Sequence, residues 1–202
     1  MLESLFSLAL ISLLGAMSPG PDFAIVTRYV LTGSRKAALL ASLGISLALL
    51  VHVTYSALGL AVLLVELPLI FKLIQIAGSC YLGYLGARLL FFSKQSASHI
   101  TLYPKKALLT GFLSNLLNPK VTFFIFGVFT QFITVGTPLF LFALYGLVIA
   151  GVSLAWLSCL VLLMTHPYFK GHFARWQGVL MKGMGVVLLI LALTVFLRVI
   201  FL

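Results

Sequence analysis

Apolar residues run through this chain in six long blocks separated by short polar stretches. The blocks cover about Leu2–Val30, Ala37–Leu64, Lys72–Phe92, Ala107–Val135, Leu139–Met164 and Gly178 to the C-terminus. A helix needs ~20 apolar residues to cross a hydrocarbon core about 30 Å thick, so each block predicts one membrane-crossing helix. Between the blocks lie the basic loop Thr32-Gly33-Ser34-Arg35-Lys36, the turn Glu66-Leu67-Pro68, the linker Ser93–Lys106, the turn Gly136-Thr137-Pro138 and the loop His166–Gln177. Two blocks are interrupted, the first by Ser18-Pro19-Gly20-Pro21-Asp22 and the fourth by Asn118-Pro119-Lys120. A proline inside a helix removes one N–H and frees a carbonyl. At membrane depth such freed groups must be met by protein or by a wet cavity.

The two interruptions share one offset. Ser18-Pro19 returns as Asn118-Pro119 one hundred residues on, and Gly78 and Gly83 return as Gly178 and Gly183. Three blocks, a polar linker and three more blocks give pseudo-repeats 1–98 and 99–202. An odd number of spans per half makes the second half enter the membrane from the other side, the arrangement of many secondary transporters. The expected fold is therefore an all-α polytopic membrane protein, one transmembrane domain over 1–202. It has six transmembrane helices as two inverted three-helix repeats, with helices 1 and 4 interrupted.

Composition agrees with this picture. Of 202 residues, 62% are hydrophobic and 8% charged, against about 25% charged in soluble domains. Six helices with short loops leave no length for a soluble domain. The formal charge of +10 is spread over loops and helix ends, without the single basic face a nucleic-acid binder needs. Arg35, Lys36, Lys94, Lys105, Lys106, Lys170 and Arg175 follow blocks one, three and five, whereas the other side offers Lys72 and Arg198. The positive-inside rule then puts the three basic loops in the cytoplasm and both termini outside. Residues 1–18 have the apolarity of a signal peptide, but Glu3 and the continuation past the prolines argue against cleavage. Cys80 and Cys159 fall inside apolar blocks and read as small helix residues, not as a disulfide or metal pair.

At the two interruptions the chain resembles the LysE/RhtB family of amino-acid exporters. The resemblance rests on Ser18-Pro19-Gly20-Pro21-Asp22 in block one and Asn118-Pro119-Lys120 in block four. Gly44 and Gly78-Ser79-Cys80-Tyr81-Leu82-Gly83-Tyr84-Leu85-Gly86 extend it. Length and six-block layout match over essentially the whole chain. The resemblance implies an inner-membrane, multi-pass efflux carrier for amino acids or related metabolites, driven by the proton-motive force, and leaves the substrate open.

The candidate site follows from the same residues. Asp22 is one of three acids and the only one far from a block end; an ionisable group inside a membrane segment is a functional candidate by default. It can bind a substrate ammonium, carry a coupling proton, cap the helix after Pro21, or pair with Lys120 or Arg28. The Ser18-Pro19-Gly20-Pro21 backbone can approach substrate, and the half-helix that follows presents unpaired N–H groups and a positive dipole end to a carboxylate. Asn118 can bridge ammonium and carboxylate, with Pro119 making the break, and Lys120 can meet a carboxylate or lock the repeats together. His52 is a relay candidate or a satisfied core histidine. Gln75, Tyr81, Tyr84, Tyr145, Ser153 and Trp156 are candidates for a cavity wall or for packing.

No set of residues suggests catalysis, a metal or a cofactor, so the expected partners are an amino acid, protons and the bilayer. A channel or metal exporter on this scaffold is the alternative, disfavoured by the lack of an acidic ring or soft-ligand cluster. With a single deep carboxylate, a neutral amino acid is slightly favoured over a dibasic one. The glycine face of block three offers a homodimer contact.

Overall fold

The computed structural model describes residues 2–18, 20–31, 34–91, 104–134, 137–166 and 173–201. Pro19, most of the Ser93–Lys106 linker including Lys94, and Lys170 with His172 lie outside the described residues. The rest forms eight α-helices: α1 (Leu2–Met17), α2 (Pro21–Leu31), α3 (Arg35–Glu66), α4 (Pro68–Phe91), α5 (Ala107–Leu116), α6 (Pro119–Phe129), α7 (Leu139–Thr165) and α8 (Phe173–Phe201). A single 3₁₀ turn, Pro104–Lys106, precedes α5.

Blocks one and four are each two helices. α1 and α2 meet at 60°, and α5 and α6 at 59°. Prolines begin the second member of both pairs, where a missing N–H costs nothing because the first-turn donors have no helical partner. Residues Arg35–Leu60 and Leu139–Thr165 are long and apolar enough to cross a membrane, and each bent pair passes the same test as one span. α4 and α8 carry shorter apolar stretches, Leu69–Tyr84 and Gly185–Phe201. Large apolar side chains such as Leu147, Leu193 and Phe140 face outward, and helices apolar all round suit a lipid solvent. The chain is a helical membrane protein.

Element ends differ in places from the block edges. α8 begins at Phe173 rather than Gly178 and takes in Arg175. α6 stops at Phe129 although apolar residues continue to Val135. There Gln131 and Phe132 accept turn geometry, and Thr137 Oγ1 bonds the Thr134 carbonyl at 2.8 Å.

Two apolar clusters build the interior. One joins α2 to the first part of α3 and the second part of α7, through Val26, Tyr29, Ala41, Ile45, Leu157 and Leu160. The other joins α1, the rest of α3, α6 and the first part of α7, through Leu8, Leu49, Val53, Ile125, Phe129 and Ile149. α3 and α7 pack on each other, as do α4 and α8. α3 and α5 approach with backbones in contact: a side chain at Gly44 would enter the Leu108 carbonyl, and one at Gly111 the Ala41 carbonyl. Small residues let membrane helices close in this way. The glycine face of α4 is likewise used inside the chain. Gly78 stands against Gly127 of α6, and a Cβ on Gly86 would lie 2.8 Å from the Gly185 oxygen of α8.

Candidate functional site

The two breaks come together, and elementary backbone chemistry explains what surrounds them. In an α-helix the N–H of Pro119 would have bonded the carbonyl of Asn115, four residues back. Proline has no such N–H, so that carbonyl needs another donor. It accepts from Asn118 N at 2.9 Å and is bonded by His52 Nε2 at 3.0 Å. Asn118 then caps α6: its backbone is extended (φ −87°, ψ 105°) and its Oδ1 accepts from Lys120 N at 3.1 Å. At the first break, Ser18 N bonds the carbonyls of Leu14 (3.1 Å) and Gly15 (3.2 Å), and Ala24 N bonds Gly20 O at 3.0 Å. Asp22 thereby falls in the first turn of α2, at the end whose partial positive charge favours an anion.

Side chains cross between the breaks. Asn115 Nδ2 donates to Asp22 Oδ2 at 2.9 Å. The Lys120 ammonium donates to the Ser18 hydroxyl at 2.8 Å and to the Ser18 carbonyl at 3.1 Å. Lys120 and Asn118 are the next electrostatic neighbours of the Asp22 carboxyl. Gly20 keeps room for the ammonium, since a Cβ there would lie 3.1 Å from Lys120 Nζ.

Three polar atoms in this cluster are buried without a hydrogen-bond partner among the described residues: Asp22 Oδ1, Asn115 Oδ1 and Asn118 Nδ2. Asn115 and Asn118 are 1% and 5% exposed. Unpaired buried groups are costly, and these three stand at or beside one cavity. The cavity measures about 50 Å³, on the order of four waters at ~10–15 Å³ each. Asp22, Ser18, Gly20, Asn115 and Lys120 form its polar end. Ile45 and Leu49 of α3, Phe124 and Ile125 of α6, and Ile149 and Leu157 of α7 line the rest, with the hydroxyls of Ser12 and Ser153. Ile45 and Leu157 belong to one apolar cluster and Leu49 and Ile149 to the other, so the cavity sits where the two clusters meet.

Of the residues expected from sequence, Ser18, Gly20, Asp22 and Lys120 line this cavity and Asn118 stands beside it. Pro21 is exposed at the start of α2 and Pro119 opens α6. His52 is fully buried just outside, between the Asn115 carbonyl and the Tyr55 hydroxyl. A carbonyl only accepts, so Nε2 carries a proton. Tyr55 in turn bonds Thr122 Oγ1 at 3.3 Å. Tyr81 and Tyr145 stand apart. Tyr81 packs on Tyr84 and Phe123, and Tyr145 lies edge-on to Phe129 and Phe132. Gln75 bonds the Thr130 carbonyl at 3.1 Å. Among the expected wall residues, Ser153 alone is on the cavity. Asn115, the partner of Asp22, is the residue that sequence reading misses. Its signal was present: it is an amide four residues before a mid-block proline, the position whose carbonyl the proline must orphan.

Fold and site together define a helical membrane protein with a small, mostly apolar cavity that has polar groups from two interrupted helices on its wall. The model of the LysE type translocators matches residues 13–198, both breaks included, and the chain belongs to this family. It is 31% identical over 206 residues to the threonine efflux protein of Salmonella typhi, covering 94% of this chain and 99% of the relative. The threonine efflux protein of Escherichia coli (strain K12) is 29% identical with the same coverage. The leucine efflux protein of Salmonella choleraesuis (strain SC-B67) is 32% identical over 126 residues, 59% of this chain and 58% of the relative. No solved structure matches the chain.

Proposed function

We propose that the protein is a secondary active exporter of neutral amino acids across the cytoplasmic membrane, coupled to protons. The observation that carries the reading is the set of buried, unpartnered atoms at the cavity, Asp22 Oδ1 and Asn115 Oδ1 on its lining and Asn118 Nδ2 beside it. A primary ammonium has three donors and suits the acceptors Asp22 Oδ1 and Asn115 Oδ1. A carboxylate suits Lys120 and the amide of Asn118. Both groups of a free amino acid thus find partners at one small cavity, on its lining or, for Asn118, just beside it. The aliphatic remainder and the single carboxylate favour an uncharged side chain over a second cation. Relatives named for threonine and leucine efflux support amino acids as the cargo.

The mechanism follows from the paired breaks. The chain crosses the inner membrane six times, as two inverted repeats, 1–98 and 99–202, around a shared axis. Several contacts support this. Gly20 and Lys120 hold equivalent positions and touch, and the equivalent helices α3 and α7, and α4 and α8, pack together. Rocking of the repeats opens the cavity to each side in turn. Asp22 exchanges a proton for the substrate ammonium, and His52, through Tyr55 and Thr122, lies on the proton's route to the break.

Purified protein in liposomes tests this. Saturable movement of a neutral amino acid is expected, accelerated by an opposing proton gradient and strongly slowed, but still measurable, in Asp22→Asn. Lys120→Met is expected to weaken substrate binding at least tenfold, the scale of a lost charge-assisted hydrogen bond. No movement of any neutral amino acid, with or without a gradient, would sink the proposal.

A further inference from the structure

Ser153 is a polar position in an otherwise aliphatic wall. Ile149, Ser153 and Leu157 follow one another at four-residue spacing along one face of α7, and all three line the cavity. Ile45 and Leu49 bring a second apolar row from α3. Three other interior serines bond their own helices: Ser12 donates to Leu8 O at 2.6 Å, Ser42 to Ala38 O at 2.9 Å and Ser46 to Ser42 O at 3.0 Å; Ser56 is buried with its hydroxyl unpartnered, but away from the cavity. The hydroxyl of Ser153, a residue only 5% exposed, makes no hydrogen bond among the described residues, so it is available to what fills the cavity. Ser12 faces the same space with its proton committed to Leu8 and its oxygen still able to accept.

We infer that Ser153 reads the substrate side chain and selects a β-hydroxy amino acid over its aliphatic isostere. The inference rests on the proposed amino-acid site and adds the direction of the side chain. With the ammonium at Asp22 and Asn115, a cavity this small leaves the side chain only the aliphatic end. There a hydroxyl on Cβ can accept from Ser153 Oγ and donate to Ser12 Oγ. Threonine and valine have nearly the same shape and differ by that hydroxyl, so they isolate the contact. A site holding a polar partner for a substrate hydroxyl discriminates because the analogue leaves that partner unpaired.

The experiment is initial-rate transport of threonine and valine by the full chain in liposomes, compared as a ratio of kcat/KM. Wild type is expected to prefer threonine. Ser153→Ala is expected to lower the threonine-to-valine ratio about fivefold, the weight of one hydrogen bond between neutral groups. Valine transport should hold or rise. Ser153→Thr keeps the hydroxyl and should keep the ratio within about twofold of wild type. A ratio unchanged in Ser153→Ala, with both amino acids still carried, overturns the role of Ser153 and leaves the site standing. Wild-type protein that carries neither overturns both.

Discussion

Replacing Asn115 by leucine keeps the branched shape of the side chain, with somewhat more bulk, and deletes both of its polar atoms. Asn115 is 1% exposed, and its amide donates to the Asp22 carboxylate at 2.9 Å. A hydrogen bond to a charged group contributes about 1.5–3 kcal/mol, and the buried Asp22 oxygen loses its protein donor. At ~1.4 kcal/mol per tenfold, kcat/KM for a neutral amino acid should fall about 10- to 100-fold. The substitution leaves the Asn115 carbonyl in place, so the His52 contact at 3.0 Å survives and the α5–α6 break keeps its backbone support. The loss should therefore appear in transport while the protein remains folded, as a melting curve in detergent will show. Because Asn115 and Asp22 act through one bond, Asn115→Leu combined with Asp22→Asn should cost less than the sum of the two by at least ~1 kcal/mol. Initial rates in liposomes across a substrate series give all four corners of that cycle. Transport by Asn115→Leu within threefold of wild type, or strict additivity in the cycle, would refute the reasoning.

Three further outcomes are expected. Gly44→Ala and Gly111→Ala each put a Cβ into a backbone carbonyl of the facing helix and should destabilise by about 1–3 kcal/mol. Gly151→Ala, with nothing within 4 Å of the new Cβ, should be neutral or stabilising by up to ~1 kcal/mol from helix propensity; thermal melts of the three variants compare them directly. Asn118→Ala removes the α6 cap and should lower stability by about 1 kcal/mol, measured by the same melts. His52→Phe keeps the ring's bulk and deletes its bonds to Asn115 and Tyr55. It should reduce kcat/KM about tenfold, because the residue that faces Asp22 loses its backbone anchor.

Much of this was open to a reader of the sequence, and the reason is chemical. Proline, glycine and a lone acid inside apolar blocks are conspicuous, and backbone rules say what they must do. The bent pairs at Ser18–Asp22 and Asn118–Lys120 follow directly. What pattern cannot supply is the facing partner. Asp22 is held by Asn115, an amide that hydropathy treats as one more polar blemish. Lys120 bonds Ser18 because Gly20 leaves space for it, a fact of packing between residues a hundred positions apart. The tyrosines fail as pointers for a related reason: an aromatic ring in a membrane helix is as useful to packing as to a cavity. Tyr145 joins an aromatic cluster with Phe129 and Phe132. Apolar composition also runs past the end of α6, because nothing in Thr130–Thr134 signals a stop.

The two breaks are alike in backbone and unlike in chemistry, and the difference suits the proposed cargo. The residue four before the second proline is Asn115; at the same offset before Pro19 stands Gly15. The carbonyl of Asn115 is held by Asn118 N and His52, and its side chain reaches Asp22. The carbonyl of Gly15 is met by Ser18 N, and its bare face receives the ring of Phe124. Likewise Asp22 corresponds to Thr122, and Lys120 to Gly20. Each position that carries a charge in one half is neutral in the other. A perfect two-fold pair would offer two carboxylates or two ammonium groups to whatever lay on its axis. An amino acid has one end of each sign, so the proposed site would combine the backbone of the proposed repeat with the side chains of a single, asymmetric pocket.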